Sequence, residues 1–180
     1  MKIQPFTLVL AVLFQFLSGT AFSQKSAALN SLLDKNSEFI FPQTTDKISK
    51  ALNAKAVFYE DANGEKYAKW LTKSGLELYT DLGGNNGINE MFFDIPDHKP
   101  LIVNGLPYGL VMNKTTLENA KLQFKKYDAK IQKLDDGSEF PEGTKLIFKR
   151  GKHFTTLFFD NKNLLKSIGI TTELVDPAAN

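Results

Sequence analysis

Apart from Thr7 and Gln15, the chain is apolar from Phe6 to Leu17; beyond that run, apolar residues recur either at every second position or at spacings of three and four. The first spacing belongs to strands and the second to helices. Leu29, Leu32 and Leu33 share a face at helical spacing, which predicts a short helix within 27–40, closed by Phe39-Ile40-Phe41-Pro42. Thr44 or Thr45 as cap, Asp46 in the first turn and a stripe of Ile48, Ala51 and Leu52 predict a second helix. Alternation predicts strands over 56–60, 67–72, 76–80 and 88–95, with Asp61–Gly64 as a turn and Gly83–Gly87 as a flexible connection. After a connector rich in proline and glycine, Thr115 or Thr116 opens a third helix. A cap at Thr115 places Glu118 for a capping box, with Leu117, Ala120 and Phe124 on one face. Strands follow over 130–134, 145–149, 154–159 and 164–170.

The order repeats: a Thr-Thr pair opening a short helix, then a strand, an Asp/Gly turn and three more strands. Leu76–Asp81 and Thr155–Asp160 are the most similar stretches. The pattern predicts an α+β fold in which tandem helix-plus-antiparallel-meander units form a curved sheet covered by short helices. The expected segments are a signal peptide (1–23), an N-terminal helical lead-in (24–43), a first repeat (44–95), a connector (96–114), a second repeat (115–172) and a flexible C-terminal tail (173–180).

The leading segment sharpens the expected address. Lys2 precedes the apolar run, and Ala21 and Ser23 put small side chains at the third and first positions before a cut between Ser23 and Gln24. That is the layout of a secretory signal, and the run of about a dozen residues is short of the roughly 20 that span hydrocarbon. The expectation is a chain cleaved near Ser23-Gln24, without a membrane span, and periplasmic or secreted. The chain has no cysteine, which excludes thiol catalysis, thiolate metal sites and lipidation at a processed cysteine. Its net charge is +2 and Arg150 is its sole arginine, with lysines dispersed along the chain. No concentrated basic face is expected, so no nucleic-acid partner is.

Candidate chemistry is sparse. His98 falls in the connector and His153 beside a turn, and neither has a metal ligand at motif spacing. Asp61-Ala62-Asn63-Gly64 and Asp135-Asp136-Gly137 lack the later ligands of a calcium loop and read as turns. No catalytic, cofactor-binding or metal-ligating residue is assigned. Aromatic residues are the positive signal: fifteen phenylalanines, five tyrosines and one tryptophan. The adjacent pairs Phe92-Phe93 and Phe158-Phe159 must send one ring to each sheet face. Trp70, Tyr67, Tyr79 and Tyr108 are the candidate partner-binding residues, because rigid aromatics anchor interfaces.

The runs Tyr67–Trp70, Ser74–Tyr79 and Ile88–Phe93, then Asn104–Leu110 before a Thr-Thr helix, resemble a diffuse bacterial group. Its members are similar to the β-lactamase inhibitor protein and to the small outer-membrane assembly lipoproteins, and include uncharacterised secreted proteins. The resemblance implies helix-and-meander units, sometimes in tandem, that bind through a concave sheet without catalytic residues. The cysteines of both prototypes are absent here, so neither partner carries over. The first expectation is therefore a secreted, non-catalytic module that docks an envelope or extracellular protein on an aromatic sheet surface. The second is a carrier of a small-molecule or lipid ligand with an apolar pocket. The third is a hydrolase, which needs polar groups converging in one pocket.

Overall fold

The computed structural model describes residues 24–82 and 87–173. The expected signal segment, most of the Gly83–Gly87 connection and nearly all of the C-terminal tail lie outside them. The strands are β1 (Lys25–Ser26), β2 (Val57–Glu60), β3 (Lys66–Leu71), β4 (Glu77–Asp81), β5 (Met91–Asp94), β6 (Val103–Asn104), β7 (Lys130–Lys133), β8 (Thr144–Arg150), β9 (His153–Phe159) and β10 (Leu165–Thr171). The helices are α1 (Thr45–Leu52) and α2 (Leu117–Phe124). Among the described residues, no helix is long and apolar enough to cross a membrane.

Eight strands form one curved, open antiparallel sheet in the order β2-β3-β4-β5-β10-β9-β8-β7. This order follows from the repeat. Each helix is followed by a four-stranded meander, and the last strands of the two meanders pair with each other: Phe93 faces Ile168, Phe92 faces Gly169 and Met91 faces Ile170. The fold is α+β, as the alternation predicts.

Both helices pack on one face. Ala68, Trp70, Leu78, Met91, Phe93, Leu146, Phe148, Leu157, Phe159, Ile168 and Ile170 point to that side and are buried. Ile48 and Leu52 of α1, and Ala120 and Phe124 of α2, close over them. Two contacts fix the helices: Trp70 Nε1 donates to Ser49 Oγ of α1 at 2.8 Å, and Phe124 of α2 stacks on Phe148 at 4.1 Å. The connector joins this layer through buried Val103, Leu106, Leu110 and Met112. Its strand β6 pairs in parallel with β1, a pairing of two residues each that periodicity does not reveal.

Three local expectations are corrected. Residues 27–40 are not a helix but a single 3-10 turn, Asn30–Leu32, followed by a bridge from Leu33 to Phe39. The Asp34 carboxylate accepts from Asn36 N and Glu38 N, both at 2.8 Å, and those bonds hold the chain in a tight turn. The same bonds hold the Asp34 carboxyl below its ordinary value, the one from Glu38 foremost. Leu29 and Leu32 still bury, because burial needs only two apolar side chains on one side. The α2 cap is Thr116, which accepts from Asn119 N at 3.2 Å. Thr115 instead accepts from Val111 N, so Glu118 forms no capping box and pairs with Lys121 at 2.7 Å. Finally, β5 is shorter than 88–95, since Ile88 leaves the ladder to bridge Gln43.

Candidate functional site

Strand alternation sends every second side chain away from the helices, onto a face that neither helix crosses. Register gives that face its rows. One row runs across all eight strands: Val57, Lys69, Tyr79, Phe92, Gly169, Thr156, Ile147 and Lys130. A second contains Leu71, Glu77 and Asp94 on one side, and Ser167, Phe158, Lys145 and Gln132 on the other. A third joins Tyr59, Tyr67 and Asp81, and separately Thr171, Phe154 and Lys149.

Aromatic rings organise the first half of this face. Tyr59 stacks on Tyr67 at 5.1 Å and Tyr79 on Phe92 at 4.9 Å. Lys69, the register partner of Tyr79, has its ammonium 5.8 Å from the Tyr59 ring and 3.0 Å from Glu77. The Tyr67 hydroxyl donates to Glu65 at 2.8 Å, which pushes its pKa up to about 12. Burial, and then the Asp94 carboxylate, push the Tyr79 pKa up as well. Asp94 is raised to about 6, chiefly by burial, even though its carboxylate accepts from Ile95 N at 2.6 Å. Glu139 adds to the rise and His98 opposes it.

The second half is basic, with Lys130, Lys145 and Lys149; Lys149 lies 4.8 Å over the Phe154 ring. Phe140, from the loop before β8, packs between His98 at 5.2 Å and Phe158 at 6.4 Å. The opposite charges of the two halves create a lateral field across a shared aromatic surface. A cavity of about 160 Å³ opens at the centre of the second half, over Gly169. A shallower groove of about 640 Å³ lies elsewhere, between α1 and Phe58 at the sheet edge.

The four aromatic residues singled out from the sequence do not converge. Tyr67 and Tyr79 lie on the open face. Trp70 is fully buried on the opposite one, so it supplies no surface to a partner. Strand parity already separates them: residues 67 and 70 cannot share a face. Tyr108 is half-buried on the helix side, edge-on to Phe124 and Phe148, with its hydroxyl 3.0 Å from Thr155 Oγ1. That packing makes it structural, and burial raises its pKa. Phe92, Phe158, Lys145, Thr156 and Gly169 were missed as site residues. The two adjacent phenylalanine pairs signal the first two; the others become neighbours only through register.

Among the described residues, no group of three or more His, Asp or Glu side chains could hold a metal ion. His98 touches Phe140, and His153 stacks on Phe41 at 4.7 Å, where burial lowers its basicity.

No protein-family model matches the chain, and no curated protein matches it. A DUF4309 family protein (YjgB) from Bacillus subtilis is similar among solved structures, with 8% identity over 75% of this chain and 82% of that chain. Its TM-score of 0.39 is too low to carry an argument about function.

Proposed function

We propose that this chain is a secreted, non-catalytic binding module of the bacterial cell envelope that docks a partner protein on the open face of its sheet. One observation carries the reading: the stacked pairs Tyr59–Tyr67 and Tyr79–Phe92 both lie on the face that neither helix crosses. Rigid rings of this kind lose little rotamer freedom on binding and contribute much of the energy at hot spots. The sheet edge extends the surface through Val57, which is 61% exposed. The signal-like leader and the helix-and-meander resemblance point the same way.

Site-specific photocrosslinking in native envelopes tests the reading. A crosslinker at Tyr79 or Tyr67 is expected to trap one protein at near-stoichiometric yield, while one at exposed Leu122 on α2 traps none. Equal labelling from all three positions, or adducts with lipid alone, would overturn it.

A further inference from the structure

We propose that the cavity over Gly169 is a binding site for a small monocarboxylic acid with a compact apolar body. It lies within the face assigned to docking, but its ligand follows from its own chemistry.

Gly169 lets the Phe92 ring lie close over the sheet, and the cavity opens beside that ring. Gly169 sits between Phe92 on β5 and Thr156 on β9. A Cβ at residue 169 would lie 3.1 Å from the Phe92 ring, so the ring packs close against the glycine and forms one wall of the cavity. Phe92, Phe158 and Ile147 supply apolar walls, and Lys145 and Thr156 supply the polar ones. The volume of about 160 Å³ matches one aromatic ring or a short branched chain, since an engineered cavity of about 150 Å³ holds benzene.

Lys145 sets the charge of the ligand. It is only 6% exposed, yet it makes no ion pair or hydrogen bond with any described residue. The two half-buried lysines of the sheet are paired: Lys69 with Glu77 at 3.0 Å, and Lys166 with Asp160 at 3.2 Å and Asn113 at 2.6 Å. The burial is that of its stem; the Lys145 ammonium keeps access to the cavity, where an anion would be its natural partner. At Lys145 that partner is missing from the fold and the space beside it is open. Thr156 adds a hydroxyl with no partner among the described residues, one strand away. An ammonium and a hydroxyl over an apolar floor suit a single carboxylate on a ring or branched chain. They do not suit a phosphate, which would call for more donors.

Titration of the purified protein with benzoate and phenylacetate, at constant ionic strength, tests the site. The methyl resonance of Ile147 is the local readout. Saturable binding is expected with Kd on the order of 0.1–1 mM. Acetate, which lacks the body, and benzyl alcohol, which lacks the charge, should each bind at least about tenfold more weakly. Lys145→Met should abolish the preference for acid over alcohol, and Lys145→Arg should retain it. Thr156→Val, a milder change should Lys145→Met fail to fold, should weaken benzoate several-fold and leave benzyl alcohol unchanged. Benzoate binding no tighter than acetate, or unaltered in Lys145→Met, would overturn the proposal. So would a short peptide with a free C-terminal Phe that binds tenfold tighter than phenylacetate, since the site would then belong to a protein terminus. Loss of the crosslinked partner leaves these titrations unaffected, so the two readings fail separately.

Discussion

Asp94 shows how a single position on the open face trades stability for a poised charge. Its carboxyl is raised from 3.8 to about 6, with burial as the main cause. Between those values the folded chain holds a proton that the unfolded chain has released, so the contribution of Asp94 to stability falls as pH rises through that window. The full shift corresponds to about 3 kcal/mol at 1.36 kcal/mol per unit, and screening by water at this half-buried site leaves about 1–2 kcal/mol. Asp94→Asn keeps an oxygen to accept from Ile95 N. It is expected to be more stable than the wild type at pH 7 by that amount and nearly equal at pH 4, as urea unfolding at the two pH values would show. A wild type that gains on the variant as pH rises would remove this account. Trp70 illustrates the opposite kind of residue, wholly structural. Ser49→Ala strands its buried indole N–H and should cost about 1–3 kcal/mol. Trp70→Ala should cost about 3–5 kcal/mol by leaving a cavity, both read from denaturant midpoints.

At the scale of elements, the two helices are short, so their caps matter more than their propensities. Thr44 accepts from Lys47 N at 3.3 Å and Thr116 from Asn119 N at 3.2 Å. Thr44→Ala and Thr116→Ala should each cost about 1 kcal/mol. Glu118→Gln should cost under about 0.5 kcal/mol, because it breaks only an exposed pair with Lys121. A loss near 1 kcal/mol in Glu118→Ala, which unlike glutamine cannot close the box, would restore the capping box that the structure replaces. All eight sheet strands and both capped helices were legible in the sequence, since alternation and Thr-Thr starts are local signals. The segment 27–40 misled because three leucines at helical spacing say which side is apolar, not which turn bends the chain. Asp34 decides the bend through its bonds to Asn36 and Glu38. The site was legible only by halves. Adjacent phenylalanines place Phe92 and Phe158 on the open face. That Gly169 separates Phe92 from Thr156, or that Lys145 finds no acid nearby, is a fact of register between strands far apart in sequence.

Over the whole molecule, the two halves meet across a short ladder, no longer than that between β4 and β5. The β5–β10 seam has three register pairs, whereas β10 meets β9 over six. The core does not thin there: Met91 and Phe93 from one half lie beside Ile168 and Ile170 from the other, all buried. Phe39 of the lead-in packs edge-on against Phe93 at 5.6 Å. Arg150 of β8 pairs with Glu38, so the same lead-in also reaches the second meander. Each half alone would expose the seam side of its sheet and part of that shared core. Burial, more than hydrogen bonding, therefore joins the halves, and they should unfold together. The single tryptophan reports on the first half through its contact with α1, while Leu146 on β8 lies in the second, two strands beyond β10. Leu146→Ala should destabilise by about 2–5 kcal/mol. If the halves form one cooperative unit, it should lower the Trp70 fluorescence midpoint by as much as the midpoint read by far-ultraviolet circular dichroism. A fluorescence transition that stays in place while the dichroism signal splits would mean two folding units, and the open face would then lose the rigid register that assembles its central row.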